Sequence, residues 1–246
     1  MIVKNRLLNY KNAFIYQDTD YFKMSIDSLL LSNFVTINKS DKNILDIATG
    51  NAPIPMLLTY RTKAHIYGVE IQSEMYNLGR ISINENKMKD QITLIKDDAN
   101  NLTNIFDSDS FDVITCNPPY FNTSNKLYKN KNSIKSLARH EESLSLDDVF
   151  RLSRILLKNN GRIAIVHRSE RLIEIINIMK KYNIEPKKIR FIYSDIKKNS
   201  NLILIEGTKN GKTGLKVLNP LYIYKEKNVY SDEVKDMFGD ENHDSK

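Results

Sequence analysis

Apolar runs of strand type alternate along this chain with segments whose apolar residues recur at helical spacing. The alternation predicts a doubly wound, mostly parallel α/β sheet. Seven strands are expected, and a polar connection too short for a helix predicts that the last two form a terminal antiparallel hairpin. The predicted strands are 43–48, 64–70, 91–95, 111–116, 163–166, 188–193 and 202–206. The predicted helices are 25–35, 73–88, 146–157 and 170–182, and another begins at Pro53.

Length and charge divide the chain into three parts. With 246 residues it is long enough for one α/β domain and short for two. We expect an N-terminal extension with a packed helix (1–40), a main domain (41–230) and an acidic tail (231–246). The tail carries six acids and two lysines, a net charge of −4. Since the whole chain carries +7, residues 1–230 carry +11.

Several classes of protein are excluded by composition. Apolar runs fall far short of the ~20 residues of a membrane span, and the chain start lacks a signal-peptide core. We therefore expect a cytoplasmic protein. The single cysteine, Cys116, excludes an internal disulfide and a cysteine-based zinc site. It is expected to be a buried strand residue rather than a nucleophile. The four histidines lack metal-ligand spacing, so no metal is expected.

Four residues fall at the carboxyl ends of four successive predicted strands: Gly50, Glu70, Asp98 and Asn117. Ligands of doubly wound sheets bind beyond those ends. Gly50 permits the turn after the first strand to approach a ligand closely. Glu70 can accept hydrogen bonds from ribose hydroxyls. Asp98 can accept a hydrogen bond from adenine, and the Ala99 amide can donate one. Strong phosphate-binding features are missing, since there is no Walker lysine. A nucleoside without phosphates suggests S-adenosylmethionine as the cofactor.

The fourth strand ends in Asn117-Pro118-Pro119-Tyr120. Two prolines remove two backbone donors, so the strand must stop there. Asn117 Oδ1 and the Pro118 carbonyl are neighbouring acceptors, and Tyr120 offers a ring face for stacking. This combination suits a planar group with an exocyclic amine. The alternative is that a proline pair simply ends a strand before a loop.

At this point the sequence resembles a known family. Segments similar to the ordered motifs of class I methyltransferases acting on amino groups are Asp46-Ile47-Ala48-Thr49-Gly50-Asn51, Gly68-Val69-Glu70, Asp97-Asp98-Ala99 and Asn117-Pro118-Pro119-Tyr120. Further segments resemble the tRNA1(Val) adenine-37 N6-methyltransferases over roughly residues 12–238: Ser25-Ile26-Asp27-Ser28-Leu29-Leu30-Leu31, Ala138-Arg139-His140-Glu141 and His167-Arg168-Ser169-Glu170-Arg171-Leu172.

The resemblance implies a Rossmann-like fold and S-adenosylmethionine-dependent methylation of the adenine amine just 3′ of a tRNA anticodon. It implies catalytic roles for Asn117, Pro118 and Tyr120. Alternatives are a protein glutamine or rRNA amino-methyltransferase, which share the Asn-Pro-Pro-Tyr motif, and a non-catalytic RNA-binding relic. The implied cofactor-binding residues are Asp27, Asp46, Ala48, Gly50, Asn51, Glu70, Ile71, Asp98, Ala99 and Asn117.

One departure from the family concerns Ala48 and Ala52, where the first motif usually has glycine. Their methyl groups are expected to lie where the cofactor backs onto the loop and to weaken its binding.

Basic segments indicate a polyanionic partner, and the resemblance implies that this partner is the anticodon loop of a tRNA. Residues 121–139 hold five basic residues and no acid, and 180–198 hold seven basic residues against two acids. The alternative is a lysine-rich composition without a specific role. We expect a monomer, although no sequence feature indicates the oligomeric state. The expected RNA contacts are Lys126, Lys129, Lys131, Arg139 and His140. The alternative for Arg139 is a structural ion pair with Glu141 or Glu142.

Overall fold

The computed structural model describes residues 1–10, 13–19, 25–118 and 144–239. Six predicted site residues lie outside the described residues, and their roles stay predictions: Tyr120, Lys126, Lys129, Lys131, Arg139 and His140. Within the described ranges no helix is long and apolar enough to cross a membrane. The helices are α1 (Ile26–Phe34), α2 (Pro53–Leu58), α3 (Ser73–Glu85), α4 (Leu102–Ile105), α5 (Leu146–Leu156), α6 (Leu172–Lys181) and α7 (Asp232–Met237). The strands are β1 (Ile2–Arg6), β2 (Phe14–Asp18), β3 (Asn43–Ile47), β4 (His65–Glu70), β5 (Ile92–Lys96), β6 (Phe111–Cys116), β7 (Leu157–Arg168), β8 (Ile184–Tyr193), β9 (Ser200–Lys209), β10 (Lys216–Val217), β11 (Leu221–Tyr222), β12 (Tyr224–Glu226) and β13 (Val229–Tyr230).

The central sheet has the order β10-β8-β9-β7-β6-β3-β4-β5, and β11 also pairs with β8. Strands β3 to β7 are parallel, and β9 is antiparallel to both β7 and β8. The predicted mostly parallel sheet with a terminal antiparallel hairpin is therefore confirmed. The predicted seven strands are all present. Within the described residues the sheet has nine strands, because β10 and β11 also lie beside β8. Each of these two strands has two residues, which is too few to show a hydrophobic period in the sequence.

Helices cover both faces of this sheet, as expected for a doubly wound fold. Alternate residues of a strand point to opposite faces, so Ile44 and Leu45 of β3 belong to different hydrophobic clusters. One cluster includes Leu30 of α1, and the other includes Phe150 of α5. Since both faces are covered, the strands read as nearly continuous apolar runs rather than alternating ones.

Two terminal segments pack onto the main domain. The hairpin β1–β2, not predicted from the sequence, docks through the edge of β2 onto α3. There the backbone of Phe14 exchanges two hydrogen bonds with the Asn86 side chain, at 2.9 and 2.6 Å. At the other end, α7 lies in the segment predicted as an acidic tail. Its Val234 is fully buried, and its Glu233 accepts two hydrogen bonds from Arg190 at 2.6 and 2.8 Å.

Candidate active site

The carboxyl ends of β3, β4, β5 and β6 meet at one edge of the sheet. These strands pair in parallel, and their register places the last residues side by side. Ile47 lies beside both Val69 and Cys116, and Glu70 lies beside Lys96. Gly50, Asp98 and Asn117 follow these strands within a few residues. The structure therefore brings the four predicted strand-end residues to the same edge.

Glu70 closes β4 and is almost completely buried. Its Oε2 accepts a hydrogen bond from the Gly50 amide at 2.8 Å, and its Oε1 accepts one from the Gln72 amide at 2.7 Å. Burial raises the pKa of this carboxyl, and the backbone hydrogen bonds oppose that rise. Among the described residues no lysine or arginine forms an ion pair with it. Each carboxylate oxygen has a second lone pair, so Glu70 can still accept from ligand hydroxyls.

Asp46 lies beneath the loop that follows β3 and is fully buried. The hydroxyl groups of Thr49 and Thr115 each donate to one of its oxygens at 2.6 Å. Burial raises the pKa of Asp46 to about 7, and the nearby Glu70 adds to the rise. Both oxygens are therefore engaged within the protein. This geometry makes Asp46 a support of the loop through Thr49, a residue that the sequence did not single out.

The loop after β3 adopts a left-handed backbone conformation at three positions. Ala48, Gly50 and Ala52 all have positive φ, at 56°, 59° and 66°. This left-handed region is readily adopted by glycine and is unfavourable for alanine by ~1–2 kcal/mol. The two alanines thus affect the loop through the backbone, a cause that the sequence alone did not reveal.

The remaining cofactor residues differ in what their side chains contact. Asn51 Nδ2 donates to the Tyr16 carbonyl at 2.8 Å, so this side chain holds the N-terminal hairpin against the loop. Ile71, directly after Glu70, is 41% exposed and offers an apolar surface at the sheet edge. Asp98 Oδ1 accepts from the Asn100 amide at 2.9 Å and so caps the 3₁₀ turn that starts at buried Ala99.

At the end of β6, Asn117 contacts the beginning of α1. Its Nδ2 donates to Ser28 Oγ at 3.3 Å, and Ser28 is 4% exposed. This contact turns Oδ1, the predicted acceptor for the target amine, away from Ser28. Asp27 lies in the first turn of the same helix, and Pro118 is buried. Ser28 is a site residue that sequence reasoning missed, although it directly follows Asp27 in the N-terminal motif.

Neither Cys116 nor His167 is suited to act as a nucleophile or base here. Cys116 is fully buried, and burial raises the pKa of its thiol well above the usual value. His167 is also buried, which lowers its pKa to about 4. Its Nδ1 accepts from the Arg168 amide at 2.8 Å. The described part of the chain has no group of three side chains that could hold a metal ion.

The donor set indicates the ligand that this edge can bind. Two buried carboxylates, Asp46 and Glu70, lie beside a tight loop, and no described basic side chain pairs with either. Such a site disfavours phosphates and suits a ligand with hydroxyl donors and a positive centre. These are the features of a nucleoside linked to a sulfonium group, so the residues present fit S-adenosylmethionine.

Comparisons with known proteins give a consistent result. The tRNA1(Val) (adenine(37)-N6)-methyltransferase of Flavobacterium psychrophilum is 23% identical over 231 residues, covering 92% of this chain and 95% of that protein. The protein of the same name from Aliivibrio salmonicida is 29% identical over 184 residues, covering 74% and 76%. A predicted O-methyltransferase from Agrobacterium tumefaciens has the same fold, with a TM-score of 0.69, 18% identity and coverage of 86% of this chain and 95% of that chain.

A family model described as a methyltransferase domain matches residues 38–213. The matched segment begins before β3 and ends after β9, so it contains all seven predicted strands and the strand-end residues. The chain therefore belongs to the methyltransferase domain family.

Proposed function

We propose that this protein transfers the methyl group of S-adenosylmethionine to the exocyclic amine of adenine 37 in tRNA1(Val). The observation that carries the proposal is Asn117, held at the end of β6 with its amide oriented by Ser28. The names of the two relatives support adenine 37 of that tRNA as the target. The anticodon loop is then the part of the RNA that reaches the active site.

The residues around the first two strand ends would hold the cofactor. Glu70 would accept hydrogen bonds from the ribose hydroxyls, and Ile71 would pack against the nucleoside. Asp98 and the Ala99 amide would bind the adenine ring. When bound, S-adenosylmethionine supplies an electrophilic methyl group attached to sulfur. The negative charge of Glu70, which no described cation neutralises, favours its positive centre.

Asn117 and Pro118 would act on the target amine. The lone pair of this nitrogen is delocalised into the purine, so the amine is a poor nucleophile. Hydrogen bonds from the amine to Asn117 Oδ1 and the Pro118 carbonyl would favour positive charge on nitrogen as it attacks. They would also aim the nitrogen at the methyl group. The proton can leave after transfer, so the mechanism needs no strong base at the site.

The experiment is methylation of a tRNA1(Val) transcript by the purified protein with S-adenosylmethionine. We expect N6-methyladenosine at position 37, detected by mass spectrometry of nuclease fragments. A transcript with guanine at position 37 is the matched control and should accept no methyl group. A parallel assay on a glutamine-containing peptide tests the related chemistry. Methylation of the peptide but not the tRNA, or of adenine at another position, would contradict the proposal.

A further inference from the structure

The carboxyl edge of the sheet continues beyond the active site towards β8 and β11. Because β7 and β8 are both antiparallel to β9, they run in the same direction. Strand β11 is parallel to β8 and ends at Tyr222 beside Tyr193. The connection from β8 to β9, residues 194–199, therefore lies on the same edge as Asn117. With strands ~4.8 Å apart, β8 is about 14 Å from β6 along this edge.

Two cations at this edge have no partner in the described chain. Lys197 and Lys198 are exposed, and neither ammonium group forms an ion pair with a described residue. Asp195 shapes the turn by accepting from the Lys197 amide at 2.9 Å, and its carbonyl accepts from the Lys198 amide at 3.2 Å. By contrast, Lys181 on α6 is neutralised by Asp147 at 2.6 Å. Unpaired lysines on a shaped turn are suited to bind phosphate groups.

The same edge also presents apolar and aromatic surface. Ile196, between Asp195 and Lys197, is 77% exposed, one of the highest values among the large apolar residues. The half-buried rings of Tyr193 and Tyr222 lie beside the connection with their centroids 5.3 Å apart. A single exposed isoleucine is ordinary, but here it is flanked by cations and aromatic rings. That combination is typical of surfaces that bind unstacked bases and the backbone of an RNA loop.

The arginine at the neighbouring turn after β7 is less suited to this role. Arg171 makes two hydrogen bonds to Glu174, at 2.8 and 2.6 Å, so its charge is already compensated. The Ser169 hydroxyl donates to the Ser200 carbonyl at 2.6 Å and holds this turn against the start of β9. This turn therefore has a fixed position between the end of β6 and the 194–199 connection.

We propose that the 194–199 connection, with Tyr193 and Tyr222, is a docking surface for the RNA substrate. Lys197 and Lys198 bind phosphates, and Ile196 packs against an unstacked base or a ribose. An RNA bound here extends from the adenine at Asn117 across β7 and β9 to β8. The inference rests on the proposed function for the identity of the RNA.

The test compares two double variants that remove the same charge from different edges. Lys197→Ala/Lys198→Ala alters the proposed surface. Lys63→Ala/Lys89→Ala is the matched control, since both lysines are exposed, lie just before β4 and β5 at the opposite edge, and form no ion pair with a described residue. The affinity for tRNA1(Val) is measured at 50 to 200 mM salt, together with the affinity for S-adenosylmethionine and the melting temperature.

Loss of two phosphate contacts should lower the slope of log affinity against log salt by ~1.4–1.8. When the salt is raised from 50 to 200 mM, both proteins should lose affinity for tRNA. The factor lost by Lys197→Ala/Lys198→Ala should be about ten times smaller than the factor lost by the parent. The control should keep the parent's affinity and slope. Ile196→Ser should weaken binding without changing the slope, because no charge is lost. Cofactor affinity and melting temperature should stay unchanged in all three variants.

The outcomes separate the surface from the reaction. If the parent binds tRNA and both double variants keep its affinity and slope, the surface is wrong even where methylation is observed. If the parent binds tRNA but methylates nothing at position 37, while only Lys197→Ala/Lys198→Ala loses affinity, the surface stands and the proposed reaction fails. A parent that does not bind tRNA would overturn both.

Discussion

Asp46 and Glu206 are two buried carboxylates in the same row of the sheet, yet their surroundings differ. Pairing runs across this row from Asp46 through Thr115 and Ala164 to Glu206. Glu206 accepts from the Thr36 amide at 2.6 Å, and its other oxygen lies 3.4 Å from the Lys188 ammonium. Within the described residues, the donors to Asp46 are the hydroxyl groups of Thr49 and Thr115. Glu206 is thus compensated by a cation, whereas Asp46 has no described cation beside it, and burial raises its pKa to about 7.

The different surroundings of Glu206 and Asp46 reflect different roles, one in holding the fold together and one beside the ligand site. The group around Glu206 fastens the segment after α1 to β8 and β9, and nearby Arg162 pairs with Asp41. Lys188 also donates to the Phe34 carbonyl at 2.7 Å, so the C-terminal end of α1 is fixed there. The opposite end of α1 places Ser28 against Asn117. A cation compensates the buried carboxylate where the fold is anchored, whereas Asp46 and Glu70, at the ligand edge, have only uncharged donors among the described residues.

Removing Glu206 should have the largest effect on stability. Glu206→Ala would leave Lys188 partly buried without its carboxylate, which typically destabilises a protein by ~3–5 kcal/mol. Urea unfolding measures the free energy. Glu85→Ala is the control, because Glu85 pairs with Lys4 at 3.3 Å in an exposed position, where solvent screens the pair, so this variant should change the free energy of unfolding very little. Equal effects of the two variants would show that the buried pair is not an anchor.

Asn117→Ala should affect the reaction and leave stability nearly unchanged. Loss of one preorganised hydrogen-bond partner should lower the rate of methyl transfer by ~10²–10³. Single-turnover kinetics on tRNA measures the rate, and titration should give the parent's cofactor affinity. Ser28→Ala, which removes the Ser28 hydrogen bond to the Asn117 amide, should slow transfer by a smaller factor. Near-normal turnover of Asn117→Ala would remove this residue from the active site.

Glu70→Gln should act on the cofactor. An amide has one acceptor oxygen where the carboxylate has two, and hydrogen bonds to charged groups contribute ~1.5–3 kcal/mol. We therefore expect the dissociation constant of S-adenosylmethionine to rise ~10- to 150-fold. Calorimetric titration measures it, and RNA affinity should not change. An unaltered dissociation constant would contradict the assignment of Glu70 to the ribose.

Asp46 should make stability depend on pH. Its pKa is about 7 in the folded protein against an ordinary 3.8, so the folded state binds more protons between these values. The free energy of unfolding should therefore fall as pH rises from ~4 to ~7, by up to ~1.4 kcal/mol per pH unit from this group. Asp46→Asn should remove this contribution. Urea unfolding between pH ~4 and ~7 measures the free energy of unfolding of both proteins. Parallel curves of this free energy against pH for the parent and Asp46→Asn would refute the prediction.

The sequence was informative where local chemistry decides the structure. Glu70 and Asn117 could be placed at strand ends because the apolar runs of β4 and β6 stop abruptly before polar residues. The β1–β2 hairpin could not be predicted, since its position depends on Asn86, 72 residues from Phe14 in sequence. The contact between Ser28 and Asn117 spans 89 residues and has no local signal. Long-range contacts account for most of what was missed.

Substitutions of Ala48 and Ala52 should have the smallest effects, because they change the backbone of the loop after β3 without adding or removing charge at the ligand edge. Ala48→Gly should relieve ~1–2 kcal/mol of left-handed strain, while greater freedom of the unfolded chain offsets ~0.4–1 kcal/mol. Ala48 is partly exposed, so its methyl group contributes little packing, and the variant should be more stable by up to about 1.6 kcal/mol. Ala52 is fully buried, and loss of its methyl group adds ~0.8 kcal/mol of cost, so Ala52→Gly should be close to neutral. Urea unfolding distinguishes the two, and a destabilised Ala48→Gly would show that backbone strain does not control this loop.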